Sequence, residues 1–126
     1  GIKQDKQEVK EKKQIYSDKN LKWIKTGMEN VTKEGGTAAF LGKKSNYQMA
    51  SKTGTAQLFG LKIDEEYNED ILPDKLKDHA LFITYAPAND PNIVIAVIVE
   101  NGGHGGSVAG PIAKKVLDAY LENKKL

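Results

Sequence analysis

A chain of 126 residues has the size of one domain or part of one, and 39% hydrophobic against 29% charged residues are the mix of a globular protein rather than of a disordered or membrane-spanning chain. All 19 basic residues are lysines and the formal net charge is only +2, so no guanidinium fork is available for phosphate or guanine and nucleic acid is not an expected partner. Cysteine is absent, which excludes a disulfide framework and thiolate metal ligands while leaving the redox compartment open.

Residues 1–16 alternate charge and glutamine around a few apolar positions (Ile2, Val9, Ile15) and read as a polar loop or ragged hairpin. No apolar segment follows the lysine-rich Gly1 to Lys13, so this is no signal peptide, and any membrane anchor is expected upstream of Gly1. From Ser17 or Asp18, either a suitable N-cap, the apolar residues Leu21, Ile24, Met28 and Val31 recur at spacings of three, four and three, which predicts a helix over 17–34. Gly35-Gly36 should end it. Trp23 beside Ile24 is read as a packing residue.

A strand is expected over 47–58, interrupted by Gly54, since a glycine inside a strand marks a close approach by a ligand or another backbone. Residues 59–78 form an acidic loop in which Asp64, Glu65, Glu66, Glu69, Asp70, Asp74 and Asp78 outweigh three lysines. Their spacing lacks the glycine of a calcium-binding EF-hand loop, so no metal site is expected there. A β-hairpin over 79–100 is indicated by two runs rich in Ile, Val, Phe and Tyr joined through Pro87-Ala88-Asn89-Asp90-Pro91. The run Ile93 to Val99 does not alternate with polar residues, which suggests an interior strand covered on both faces. At seven residues it is far short of the roughly 20 a membrane helix needs.

Gly102 to Gly106 matches neither phosphate-loop pattern and reads as a turn that re-aims the chain. His79 and His104 stand too far apart, without further ligands, to predict a metal centre. A final helix over 107–122, starting near Ser107 or Pro111, would bury Ala109, Ile112, Ala113, Val116, Leu117, Tyr120 and Leu121. The fold class is α+β: about three antiparallel strands with a helix on the N-terminal side and a second at the C-terminus. If the Ile93 to Val99 strand is interior in a longer parent protein, this stretch alone leaves one of its edges without a partner, and self-association through that edge is expected.

One tripeptide carries chemistry. Lys52-Thr53-Gly54 is the third element of a set that also needs Ser-x-x-Lys and a Ser-x-Asn triplet. Around it, Trp23-Ile24-Lys25-Thr26-Gly27-Met28-Glu29-Asn30-Val31, then Gly36-Thr37-Ala38, then Lys52-Thr53-Gly54-Thr55-Ala56-Gln57, resembles the ordered signature of class B penicillin-binding proteins. Phe59-Gly60-Leu61, Asp78-His79, Phe82-Ile83-Thr84-Tyr85-Ala86-Pro87 and Val99-Glu100-Asn101-Gly102-Gly103 look closest to the cell-elongation branch of that family, the penicillin-binding protein 2 group.

The resemblance implies part of a penicillin-binding/serine β-lactamase-like transpeptidase fold. It also implies a D,D-transpeptidase that cross-links peptidoglycan stem peptides, binds β-lactams, works with the cell-elongation glycosyltransferase machinery and lies on the periplasmic side of the inner membrane. No cofactor is implied. Carried over by motif position, Lys52 would present its ammonium to the terminal carboxylate of a D-Ala-D-Ala donor, and Thr53 and Thr55 would offer hydroxyls to it. Gly54 would let the substrate backbone lie against the strand, and the Thr55 backbone N–H would donate to the oxyanion. A strand's period of two sets Thr53 and Thr55 on the face opposite Lys52, so their joint reach toward one ligand is left to the tertiary structure.

The serines depart from the family pattern. The third residue after Ser17, Ser45, Ser51 and Ser107 is Asn20, Gln48, Gly54 and Gly110, and no Ser-x-Asn triplet occurs. The nucleophile, its lysine and the triplet are expected upstream, and this stretch alone is expected to be inactive. The alternative is a non-catalytic module that binds D-Ala-D-Ala or a protein.

Overall fold

The computed structural model describes residues 16–43, 45–57 and 73–123. The expected N-terminal polar loop, apart from Tyr16, and the acidic loop up to residue 72 lie outside the described residues. Helix α1 spans Asp18–Asn30, with Ser17 as its N-cap accepting from the Asn20 backbone N–H at 3.3 Å. It stops before Gly35-Gly36. Thr32 N bonds to Glu29 O and Lys33 N to Asn30 O, and Gly36 then packs under the Asn30 and Val31 carbonyls, where a β-carbon would collide. A single turn, α2 (Ala39–Gly42), follows and buries Leu41.

Three strands form one antiparallel sheet in the order β1 (Ala50–Ala56), β2 (His79–Ala86), β3 (Ile93–Val99). Thr53 faces Phe82 and Phe82 faces Val97, so Ser51, Thr53 and Thr55 share one face with Ala80, Phe82, Thr84 and with Ile95, Val97, Val99. Ala50, Lys52 and Gly54 share the other with Leu81, Ile83, Tyr85 and with Val94, Ala96, Ile98.

The first face is covered. A π-helical turn over Gly105–Ala109 runs into α3 (Gly110–Asn123), with Pro111 in its first turn. Ala109, Ala113 and Leu117 join Ala80, Phe82 and Ala86 in the core, together with Ala38, Leu41 and Met49. Small residues let the helix approach: a β-carbon on Gly110 would stand 2.7 Å from Leu41 Cδ1. Burying a side chain such as Leu117 contributes about 1.5–3 kcal/mol.

Several expectations need correction. Among the described residues β2 is the central strand, and β3, expected to be covered on both faces, exposes Val94 (67%) and Ile98 (66%) on alternate positions. Its unbroken apolar sequence describes side chains suited to cover on both faces, but no described residue supplies cover on the second. Trp23 does not pack inward; it is 68% exposed, since α1 turns Leu21 and Met28 toward the body and Trp23 lies on the opposite side. Ile24, Ile112 and Val116 are also exposed, because a narrower stripe of each helix meets the sheet than the apolar pattern spans.

Candidate functional site

Strand β1 is an edge strand paired only to β2 among the described residues. The structure separates the four candidate side chains by face. Lys52 is exposed beside Ile83, and its ammonium donates to the Thr53 carbonyl at 2.6 Å. Thr53 and Thr55 open instead into a groove of about 440 Å³ with Thr37, Phe40, His104, Gly105, Gly106 and Ser107. Gly54 faces Leu81, whose Cβ would lie 3.2 Å from an added β-carbon.

Local chemistry explains the position of this strand. Ser51 donates to Thr84 Oγ1 at 2.9 Å and Thr84 donates to the Ala50 carbonyl at 3.2 Å, so two fully buried hydroxyls pair β1 to β2 just before Lys52. Thr32 Oγ1 donates to the Met49 carbonyl at 3.0 Å and ties the end of α1 to the start of β1. Farther out, Tyr47 and Lys114 both bond Asp118, at 2.7 Å each to a carboxylate oxygen, linking the approach to β1 with α3. Burial pushes the Asp118 carboxyl up, but the bonds from Lys114 and Tyr47 and the ammonium charge outweigh it and hold it below the usual carboxylate range.

The opposite wall is the glycine-rich connection from β3 to α3. Asn101 takes a positive φ of 56° and Gly103 one of 75°, which asparagine and glycine tolerate best. The Asn101 backbone N–H donates to His79 Nδ1 at 2.9 Å and Gly103 N–H to the Asp78 carbonyl at 2.8 Å, fastening the turn to the start of β2. Gly105 then lies flat on the Gly54–Leu81 pair, and a β-carbon there would enter the shells of both carbonyl oxygens. The glycine this close approach requires is Gly105, since a β-carbon on Gly54 would meet Leu81 instead.

His79 is thus a hydrogen-bonded structural residue. Among the described residues no group of three or more His, Asp or Glu could hold a metal ion. None of the groove residues Thr37, Phe40, His104 and Ser107 was read from the sequence as a substrate contact. Thr37 stood within the quoted Gly36-Thr37-Ala38 block, and His104 was weighed only as a metal ligand, among glycines that read as a turn.

Comparison with known proteins decides the family. The model of the penicillin binding protein transpeptidase domain matches residues 1–118. This chain belongs to that transpeptidase family. Among curated members, peptidoglycan D,D-transpeptidase MrdA of Haemophilus influenzae is 46% identical over 113 residues, covering 87% of this chain and 17% of that protein. MrdA of Escherichia coli K12 is 42% identical over 98 residues, covering 77% and 15%. Among solved structures, Pseudomonas aeruginosa PBP2 in complex with WCK 5153 aligns with TM-score 0.66 at 40% identity, over 82% of this chain and 20% of that one. The Helicobacter pylori complex of PBP2 with MreC gives 0.67 at 28% identity, over 86% and 18%. The transpeptidase-domain chain therefore spans about a sixth of the length of the curated relatives it matches, and its α+β arrangement is part of the penicillin-binding fold.

Proposed function

We propose that this chain supplies the substrate strand of a peptidoglycan D,D-transpeptidase of the penicillin-binding protein 2 kind. The observation that carries the reading is the placement of Thr53 and Thr55 side by side on an edge strand, opening into a groove that has no carboxylate among its described lining residues. An edge strand pairs with an extended peptide through its free backbone groups. Neutral hydroxyl donors suit a terminal carboxylate.

In this reading the D-Ala-D-Ala terminus of a stem peptide, or the carboxylate of a β-lactam, binds Thr53 and Thr55, and the Lys52 ammonium swings from the Thr53 carbonyl to add its charge. Gly54 admits the substrate backbone, and the Thr55 backbone N–H donates to the oxyanion. The serine nucleophile comes from elsewhere in the whole protein, because no serine here is followed at the third position by lysine. That serine attacks the penultimate D-Ala carbonyl, the C–N bond to the terminal D-Ala breaks, and an acceptor amine then displaces the serine. Such a protein works on the periplasmic side of the inner membrane beside the cell-elongation machinery, in keeping with a relative solved together with MreC.

Two measurements test this. Incubation of the chain with a fluorescent penicillin should leave it unlabelled, and a serine acylated in this chain by mass spectrometry would overturn the division of labour. A D-Ala-D-Ala peptide titrated against the chain should bind weakly and lose affinity in Lys52→Ala. A native product of this length that binds the peptide and never joins a nucleophile would favour the non-catalytic module.

A further inference from the structure

We infer that His104 and Phe40 read the terminal residue of the donor peptide, the imidazole N–H donating to its carboxylate and the phenyl ring receiving its methyl group. The inference rests on the proposed role of Thr53 and Thr55 in holding that carboxylate. Both new residues line the same groove as the two threonines. Its volume of about 440 Å³ exceeds what a lone carboxylate needs and lies within the roughly 300–1,000 Å³ of small-ligand sites. Among the described lining residues Thr37, Thr53, Thr55 and Ser107 contribute hydroxyls, His104 a titratable side chain and Phe40 a large apolar surface.

His104 is held in place from its backbone. Its carbonyl accepts from Val108 N at 3.0 Å and from Ser107 Oγ at 3.3 Å. On one side Gly103 is fastened to Asp78, and on the other Gly105 is seated on the sheet with no room for a β-carbon. Gly106 continues the contact: a β-carbon on it would stand 3.4 Å from both the Thr37 carbonyl and Thr53 Cγ2. The glycines thus bring a histidine to the strand and keep its backbone still, which lowers the ordering cost of using it. Phe40 is half exposed on α2, and its exposed part belongs to this groove and to the neighbouring surface of α3. An aromatic ring left half in water gains by covering a methyl group.

The test is a residue-resolved NMR titration of the 15N-labelled chain with diacetyl-L-Lys-D-Ala-D-Ala, its C-terminal amide, and the analogue ending in glycine. His104→Ala should weaken the carboxylate peptide about tenfold, as expected for loss of a hydrogen bond to a charged group, and leave the amide unchanged. His104→Gln, which keeps an N–H donor, should restore most of that loss. Phe40→Ala should erase the preference for D-Ala over glycine. Equal weakening of acid and amide in His104→Ala, or an unaltered D-Ala preference in Phe40→Ala, overturns the inference. No saturable shift at Phe40, His104 or Ser107 overturns it too. In that event shifts persisting at Thr53 and Thr55 keep the strand reading alive, and their absence ends both.

Discussion

The two outer strands of this sheet share one central partner but meet opposite fates. Strand β1 is polar at its outer half and has been built over: hydroxyls pair it to β2, a glycine turn lies across its backbone, and a groove opens beside it. Strand β3 is apolar throughout, and one of its faces carries Val94 and Ile98 bare. The contrast teaches that burial and use are separate. The strand with more hydrophobic surface has less of its chemistry organised, because organisation here comes from polar pairing and from glycines that let backbones touch.

The largest expected effect comes from breaking the seat of the glycine turn. Gly105→Val forces a side chain into the Leu81 and Gly54 carbonyls and should cost about 3 kcal/mol in urea unfolding. A variant within error of the parent would mean the turn does not rest on the sheet. Next, Thr84→Val removes the acceptor for Ser51 and the donor to Ala50, leaving a buried hydroxyl unpaired; a loss of about 1–3 kcal/mol is expected. Amide exchange should then quicken along β1 more than along β3, and uniform exchange would argue against a local role.

Smaller still is Asp118→Asn, which loosens Tyr47 from α3 and weakens the Lys114 pair within that helix. Because the folded carboxyl lies below its usual range, the stability it contributes is present above about pH 4 and is lost as pH falls through the folded value. Solvent at this partly exposed pair limits it to about 1 kcal/mol or less. The variant should therefore lie closer to the parent at pH 2 than at pH 7, and an equal gap at both would refute the assignment. The last test bears on β3. Val94→Lys with Ile98→Lys should change stability by no more than about 0.5 kcal/mol per site, yet abolish self-association seen by light scattering at high concentration. A parent chain that is monomeric at every concentration would remove the premise.

The α+β class was legible because strand and helix leave different marks in the sequence: runs rich in Ile, Val, Phe and Tyr at 79–86 and 93–99, and a spacing near 3.6 in the helices. Which apolar residues are buried was less so. Ile24, Ile112, Val116 and Trp23 match the residue types of buried positions, but burial depends on what another element brings to that face, and a one-dimensional pattern does not contain the partner.

The Lys52-Thr53-Gly54 strand shows the same division. By itself the sequence determined the family, through blocks of residues in a set order, and it determined that no serine here stands three residues before a lysine. Alternation along the strand already set Lys52 opposite Thr53 and Thr55, and the tertiary structure decided that the threonines' face opens into a groove. It also decided that a histidine about 50 residues downstream shares the threonines' groove. The reason is physical: alternation along a strand is a local rule, whereas the approach of Gly105 to Gly54 is a long-range contact permitted by the absence of a side chain.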